Sequence, residues 1–267
     1  SGPICPHCDA TKIYRLEVAG TKRRVLKCGV CRKQFSITVG TIFEDSHIPL
    51  TKWLTTIHLL CASKKGMSAH QLHRMLGITY KSAWFMAHRI RHAMRQTAFT
   101  DKLEGIVEAD ETYVGGKTHG ITGRGAANKT PVFALVERKG RVRSFTVPRV
   151  TAKNLKTIIR EKVDRGTHLM TEKFSAYRGL SKEFAGHETV DHSAKEYVRG
   201  RAHVNTAEGY FCLLKRGIIG TYHHVGSPHL HRYLAEFDFR YNARKITDGL
   251  RSLLAVQLTE GKRLQYR

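Results

Sequence analysis

Acidic residues are scarce in this sequence. Over 267 residues, 22 Asp and Glu stand against 46 Lys and Arg, which gives a formal net charge of +24 at pH 7. The cations are spread along the whole chain and are not gathered in one tail. A charge of this size and distribution favours a polyanionic partner over a small acidic ligand. Nucleic acid is therefore the first candidate partner, and an anionic membrane surface is the alternative.

Long apolar runs are missing too. No stretch approaches the roughly 18 to 20 apolar residues that a membrane-spanning helix needs, and no signal peptide is visible. Hydrophobic residues nevertheless make up 41% of the chain, which is enough for one full core and smaller modules besides. We therefore expect a globular protein with no membrane partner. The sequence starts without Met, so what precedes residue 1 is left open.

Cysteine is rare, but four of the six cysteines form a pattern. They lie in "CPHC" and in "CGVC" 19 residues further on, as Cys5, Cys8, Cys28 and Cys31. Two such pairs can surround one tetrahedral zinc ion, and a disulfide pair is the alternative. The segment between the pairs alternates around residues 19–20 and predicts a β-hairpin. We therefore expect a zinc ribbon at 1–45 with one structural zinc.

The other two cysteines, Cys61 and Cys212, lie in apolar helical patterns. Free cysteine in such a pattern behaves as a small hydrophobe. Both are predicted to be core residues and not ligands.

Helical spacing dominates residues 46–100. A helix in "TKWLTTIHLLCASKKG" can be capped by Thr51, and two further helices follow in "SAHQLHRMLG" and "TYKSAWFMAHRIRHAMRQ". The tight turn at 77–78 and the basic second helix predict a helix-turn-helix DNA-binding domain with its recognition helix at about 79–95. An ordinary helical hairpin with a solvated basic face is the alternative. The predicted DNA contacts of this helix are Tyr80, Lys81, His88, Arg89 and Arg91.

From residue 101 onward the periodicity changes. Three strands are indicated by "GIVEADETYVGG", "PVFALVERKG" and "RVRSFTVPRV", followed by a helix at 152–164. Then "THLMTEKF" and "HETVDH" indicate strands, and "NTAEGYFCLLKRGI" indicates a helix. This order is that of the ribonuclease-H-like fold, an α/β catalytic domain with a mixed sheet and flanking helices, here at 101–267. That fold places active-site carboxylates at neighbouring strand ends and on a late helix.

Three carboxylates occupy those positions. Asp110 closes the first strand, Glu172 leaves the fourth, and Glu208 lies on the helix 36 residues later. Successive strand residues alternate faces, so Glu111 is expected to point away from Asp110. Glu108 has the parity of Asp110 but lies deeper in the sheet and ranks below these three.

Longer segments carry a resemblance to a known family. "ADETYVGGK", "HVNTAEGYFCLLKRGIIGTYHHV" and "HLHRYLAEFDFRYNAR" resemble signature segments of DDE-type transposases of bacterial insertion sequences, in the zinc-ribbon group related to eukaryotic Merlin elements. The resemblance covers nearly the whole chain, ribbon included. It implies that the catalytic residues are Asp110, Glu172, Glu208 and Lys215, of which the three carboxylates hold magnesium.

The chemistry implied is two-metal phosphoryl transfer. Two Mg²⁺ or Mn²⁺ ions, held about 3.5 to 4 Å apart by carboxylates, can activate an attacking oxygen and stabilise a leaving one. Lys215 lies two helical turns beyond Glu208 on the same face, about 10 Å along the axis, so both can address one DNA strand.

One position departs from the family pattern. The family usually has Asp after the threonine of the fourth strand, whereas this chain has Glu172 after Thr171. An extra methylene displaces the carboxylate, and metal-dependent catalysis is sensitive to such displacement. A tolerated natural variant, a decayed element and a deliberate substitution are all compatible with this residue, and so is a plain surface role.

Further DNA contacts are expected outside the helix-turn-helix. The glycine-rich basic loop at about 115–130 can approach phosphates closely, although a plain flexible linker has the same composition. For His223 and His224, a structural role is the alternative. These predicted contacts are Lys117, Arg124, Asn205, Lys215, Arg216, His223 and His224.

Together these patterns predict a DNA transposase. The expected partners are double-stranded terminal inverted repeats, target DNA and a second copy of the chain, or more, in a synaptic assembly. The resemblance implies a bacterial cytoplasmic protein that joins the nucleoid when bound to DNA. The alternatives are an inactive DNA-binding relic or repressor and a nuclease without strand transfer.

Overall fold

A computed structural model describes residues 2–16, 25–95, 101–116 and 128–264 of the chain. A small sheet comes first, then three helices, then a second sheet interrupted by one helix, and finally three helices. Among the described residues, no helix is both long and apolar enough to cross a bilayer.

The N-terminal part is a three-stranded antiparallel sheet. Its strands are β1 (Ile13–Leu16), β2 (Val25–Cys28) and β3 (Gln34–Phe35), in the order β1-β2-β3. Ile13 pairs with Cys28, which confirms the predicted hairpin between the two cysteine pairs. The turn of this hairpin lies outside the described residues. Of the residues that the structure describes here, only Leu26 and Phe35 join the buried cysteines in the core, so apolar burial alone provides little stability.

The four thiols of this sheet form one cluster. The Sγ atoms of Cys5 and Cys31 are 3.6 Å apart, those of Cys8 and Cys28 are 3.5 Å apart, and all four lie within 4.8 Å of one another. Tetrahedral coordination at a Zn–S distance of about 2.3 Å requires Sγ separations of about 3.8 Å. The cluster therefore fits a structural zinc ion.

The environment of Cys28 favours the thiolate that zinc requires. Burial would raise the pKa of this thiol, but the backbone N–H groups of Cys31 and Val30 donate to its Sγ and lower the pKa to about 6. These two N–H groups favour the thiolate of Cys28, the form in which cysteine binds metal.

Three helices follow the ribbon: α1 (Leu50–Ala62), α2 (Ala69–Leu76) and α3 (Tyr80–Met94). The hydroxyls of Ser68 and Thr79 accept backbone N–H bonds and cap α2 and α3, and left-handed Gly77 ends α2. The prediction that Thr51 caps α1 is wrong. The helix begins one residue earlier, after Pro49, and has no side-chain cap.

The core of these helices includes a helix that follows the larger sheet. Helix α7 (Asp248–Gln257) packs on α1, and its Ala255 is buried with Trp53, Ile57 and Met86. The predicted division at residue 100 assigns α7 to the catalytic part of the sequence. In the structure this helix completes the packing of the N-terminal helices.

The larger sheet has five strands in the order β6-β5-β4-β7-β8. Strands β4, β5 and β6 are antiparallel, whereas β4, β7 and β8 are parallel, so the sheet is mixed. This confirms the predicted order of elements and fits a ribonuclease-H-like domain. The elements are β4 (Ile106–Gly115), β5 (Lys129–Glu137), β6 (Val142–Thr146), α4 (Ala152–Lys162), β7 (His168–Glu172), β8 (Gly186–Val190), α5 (Asn205–Gly217) and α6 (Ser227–Asn242).

Helices cover both faces of this sheet. On β5, Val132, Ala134 and Val136 face a core shared with α5 and α6. The alternate residues Phe133 and Leu135 face a second core shared with α4. Successive side chains of β5 point to opposite faces of the sheet, and both faces are covered by helices. The sequence of β5 is therefore a continuous apolar run and does not alternate with polar residues.

The predicted DNA contacts of α3 are only partly at the surface. Its first residues, Tyr80 and Lys81, are exposed, but His88, Arg89 and Arg91 are buried. The Arg89 guanidinium donates to the backbone carbonyls of residues 44 and 264. Burial and the neighbouring charge of Arg91 lower the pKa of His88 to about 2. The prediction that these three residues contact DNA is therefore wrong, because protein covers each of them.

Arg91 belongs to a buried ionic network. Its Nε donates to Glu236 Oε2 on α6 at 2.6 Å, and Arg240 donates to the other oxygen of the same carboxylate. The Tyr222 hydroxyl also donates to Glu236 Oε1, at 2.8 Å. The Arg91 guanidinium lies over the ring of Tyr233, 4.0 Å from its centroid. This network joins α3 to the layer that covers the sheet.

Loss of zinc should destabilise the N-terminal sheet and leave the larger sheet intact. Purified protein should contain one zinc per chain by elemental analysis, and Cys28→Ser should lose it, because a hydroxyl does not replace a thiolate ligand. Amide hydrogen exchange should then rise in residues 2–45 while β4–β8 keep their protection. Cys212→Ser is the control, since this exposed cysteine lies outside the cluster. Full zinc content in Cys28→Ser would contradict the assignment.

The ionic network should contribute strongly to stability. Glu236→Gln leaves two guanidinium ions buried without a counter-charge, and we expect a loss of about 3 to 5 kcal/mol in the free energy of unfolding. Urea unfolding followed by tryptophan fluorescence measures this loss, because Trp84 lies in α3, which the network joins to α6, and Trp53 is buried in the core that α1 shares with α3. Glu161→Gln, which removes only an exposed ion pair, should leave the midpoint unchanged. Equal midpoints for the two variants would disprove a dominant role for Glu236.

Candidate active site

Asp110 and Glu172 lie side by side at the centre of the sheet. Strands β4 and β7 are parallel, and Ala109 pairs with Thr171. The next residue on each strand is one of the two carboxylates, and β7 ends at Glu172. Asp110 is buried, whereas the Glu172 side chain is 40% exposed. The sheet register therefore places the two carboxylates next to each other.

Glu108 positions the third carboxylate. Its buried side chain accepts the backbone N–H groups of Thr206 at 2.7 Å and Ala207 at 3.0 Å, in the first turn of α5. Arg138 neutralises the same carboxylate, with its Nε 2.6 Å from Oε1. A carboxylate at a helix N-terminus satisfies unpaired N–H groups and the helix dipole. Glu108 thus holds α5 against β4 and places Glu208, in the same first turn, beside the site.

His192 completes the cluster and was not predicted from the sequence. Its Nδ1 lies 2.9 Å from Glu172 Oε1 and 3.9 Å from Glu208 Oε1. Val190 pairs with Glu172 at the end of β8, so a residue just beyond β8 reaches the same edge of the sheet. The histidine that ends "HETVDH" was therefore a detectable signal, because parallel strands end together.

The remaining carboxylate of "EADETYVGGK" has a different partner. Glu111 Oε2 accepts a hydrogen bond from the buried Tyr177 hydroxyl at 2.5 Å. Glu111 nevertheless acts on Asp110 electrostatically. Burial first, and then the charges of Glu172 and Glu111, raise the pKa of Asp110 to about 8. The carboxylates at the centre of the sheet therefore repel one another, although the chain as a whole is strongly cationic.

An open cavity of about 770 Å³ lies over these carboxylates. Asp110, Glu172 and Glu208 line it together with cations from two parts of the chain. Two of the cations come from the end of α5 and the third from the connection between α1 and α2. The third was not predicted, because it is one of many surface lysines and lies 45 residues from Asp110 in the sequence. The cations are Lys215, Arg216 and Lys65.

The prediction that Cys212 is a core residue is wrong. Its side chain is exposed and lines the cavity one helical turn after Glu208. In contrast, the other cysteine predicted in the core, Cys61, is buried in α1, and burial raises its pKa to about 11.

The other predicted DNA contacts lie at several places. Asn205 is exposed at the start of α5, and His223 and His224 are exposed after a π-helical turn at Ile218–Tyr222 that ends α5. Lys117, Arg124 and most of the predicted loop at 115–130 lie outside the described residues.

Comparisons with known proteins support one family. The profile of the ISXO2-like transposase domain matches residues 102–242. The chain is 29% identical to an uncharacterized protein in transposable element ISH50 of Halobacterium salinarum, over 90% of this chain and 85% of that protein.

Similar solved structures include two of the Mos1 transposase. The paired-end complex with the left transposon end is 11% identical, with a TM-score of 0.31 over 81% of this chain and 78% of that one. The strand transfer complex is 12% identical, with a TM-score of 0.30 over the same shares of the two chains.

The matched region includes the whole larger sheet, α5 and α6, and with them Asp110, Glu172 and Glu208. It spans 141 of the 267 residues, from 102 to 242. On this match, the chain belongs to the ISXO2-like family of insertion-sequence transposases.

Proposed function

We propose that this transposase binds the terminal inverted repeats of its element, hydrolyses a phosphodiester at the element end and joins the freed 3'-hydroxyl to target DNA. The observation that carries the proposal is the single cavity to which β4, β7 and α5 bring Asp110, Glu172 and Glu208. Three carboxylates on three different elements, beside two cations of α5, suit a reaction on a phosphate.

The donor set of this cavity suits hard divalent cations, which prefer carboxylate oxygen. Asp110, Glu172 and Glu208 would hold two Mg²⁺ or Mn²⁺ ions. When bound, such a pair activates the attacking oxygen and stabilises the leaving oxygen of phosphoryl transfer. His192 orients the carboxylate of Glu172 through its 2.9 Å contact, and Glu108 orients Glu208 through the first turn of α5.

The two chemical steps use the same residues. In the first step a water oxygen bonds to phosphorus, the bond from phosphorus to the 3'-oxygen breaks, and that oxygen leaves as a hydroxyl with a proton from solvent. In the second step this hydroxyl gives up its proton, bonds to a target phosphorus and expels the target's 3'-oxygen. Lys215 and Arg216, exposed at the cavity, bind the phosphate oxygens of the reacting strand through both steps.

DNA binding is assigned to the N-terminal parts of the chain. Helices α2 and α3 meet at a tight turn, and Arg74, Tyr80 and Lys81 are exposed around it. A recognition helix reads DNA with its N-terminal residues, the part of α3 that protein does not cover. The proposed units are the zinc ribbon at 1–45, the helix-turn-helix at 46–100 and the catalytic part at 101–267. Two or more copies would pair the element ends.

One observation favours an inactive relic or repressor as the second candidate. Glu172 stands where the family usually has Asp, and its carboxylate contacts His192 in the structure. A longer side chain at this position changes the distance from the backbone to a metal ion, and catalysis is sensitive to changes on this scale. Such a protein would bind the terminal repeats without cutting them.

Cleavage distinguishes these candidates. We expect Mg²⁺-dependent nicking of labelled duplex that carries the terminal repeats flanking the coding region, and no nicking by Asp110→Asn. Glu172→Asp should raise the rate by about tenfold or more, because it restores the family's usual reach. Glu188→Gln, at a half-buried carboxylate of β8 that pairs with Arg201 outside the cavity, is the control.

The outcomes separate the readings. If the parent protein does not nick the duplex and Glu172→Asp does, the parent is an inactivated transposase. Cleaved ends without joined product indicate a nuclease. If Glu172→Asp and Glu172→Ala both nick like the parent, Glu172 does not hold metal.

Binding should depend steeply on salt. The logarithm of the association constant should fall linearly with the logarithm of salt concentration, by about 0.9 for each phosphate contacted. Replacing Arg74 and Lys81 together by Ala should reduce this slope by about 1 to 2, measured by fluorescence anisotropy. Lys153 and Lys182, both exposed and on the α4 side of the sheet, provide the matched double control. If both double variants keep the parent's slope, DNA is bound by another surface.

A further inference from the structure

The cavity over the carboxylates contains one cation that no catalytic element supplies. Lys65 comes from the connection between α1 and α2, which belongs to the predicted helix-turn-helix, yet its side chain lines the same cavity as Asp110, Glu208 and Lys215. We propose that Lys65 binds a phosphate of the DNA strand that enters this cavity, so that the end-binding helices contribute directly to the active site. This inference rests on the proposed transposase function.

The backbone around Lys65 is held tightly against the end of α5. A Cβ atom built on Gly217 would lie 2.8 Å from the carbonyl oxygen of Lys65 and 2.2 Å from Phe237 Cζ. Only a residue without a side chain permits this approach. The two segments are therefore in direct contact, one turn or less from Lys215 and Arg216.

The following residue is fixed as firmly. Gly66 has a φ of +88°, and a Cβ there would lie 1.8 Å from the Tyr222 hydroxyl oxygen. The Ser63 hydroxyl donates to the Gly66 carbonyl at 2.7 Å and closes the turn. Tyr222 in turn donates to Glu236, the centre of the buried network with Arg91. The position of Lys65 is thus set by the same contacts that join α3 to the sheet layers.

The charges around the cavity explain why a third cation is useful. Four carboxylates line it, and a DNA strand that enters brings further negative charge. Lys215 and Arg216 lie on the single edge formed by α5, whereas Lys65 belongs to a different segment. A flexible lysine side chain can follow a phosphate without fixing its orientation. Lys65 can therefore hold the strand at a point that α5 alone does not supply.

The neighbouring Lys64 provides a matched control. It has the same chemistry and is also exposed, but it does not line the cavity. Lys65→Ala should reduce nicking of the terminal duplex at least tenfold and lower the salt slope of binding by about 0.9, the loss of one phosphate contact. Lys65→Arg should retain most of both, and Lys64→Ala should change neither. If Lys65→Ala and Lys64→Ala behave alike, the inference is wrong.

A footprint on the unmodified protein does not depend on cleavage or on any variant. The protein is acetylated with and without the terminal duplex, in EDTA, and the modified lysines are quantified by mass spectrometry. Bound DNA should protect Lys65 at least threefold more than Lys64, because a phosphate-bound amine is not a free nucleophile. Equal protection of the two lysines would overturn the inference.

The two proposals fail in different ways. If the parent and Glu172→Asp never nick DNA, the proposed chemistry fails, while the footprint and the salt slope still decide whether DNA reaches Lys65. If Asp110→Asn abolishes nicking but Lys65 is neither protected nor required, the transposase assignment stands and only the role of Lys65 fails.

Discussion

The candidate active site depends on the buried carboxylate of Glu108. Its oxygens accept hydrogen bonds from two backbone N–H groups in the first turn of α5. The central strand β4 is thus bound to the start of a helix that lies almost 100 residues further along the chain. The residue before α5, Val204, has no side chain able to accept those bonds, and the strand therefore provides the cap. Glu208 lies beside Asp110 and Glu172 because these two bonds set where α5 begins.

A second buried carboxylate, Glu236, has the corresponding role between the helical layers. Arg91 and Arg240 occupy both of its oxygens, and Tyr222 adds a hydroxyl from the segment that ends α5. Few acidic residues are present in this chain, and two of them are buried against arginine at the joints between elements. Repulsion between like charges weakens the compact state of a strongly cationic protein. Here the two buried carboxylates pair with arginines and so hold neighbouring elements together.

Much of the catalytic part could be predicted from the sequence, because period-two patterns and glycine boundaries identify strands, and strand ends identify Asp110 and Glu172. The family resemblance reached the correct family, while the relation to Merlin elements stays a prediction. The errors on α3 have a common cause. A buried Arg91 looks like a surface cation until its partner is known, and Glu236 lies 145 residues away. Lys65 was missed for the same reason, since only the folded chain brings it to the carboxylates, whereas His192 was detectable from the parallel ends of β7 and β8.

The packing of α7 on α1 has a consequence for synthesis. The helices that follow the ribbon emerge early from the ribosome, but the core that they share with Ala255 cannot close until α7 has been translated. The catalytic sheet is therefore complete before the helical layer beneath it, and an unfinished polypeptide exposes the apolar face of α1.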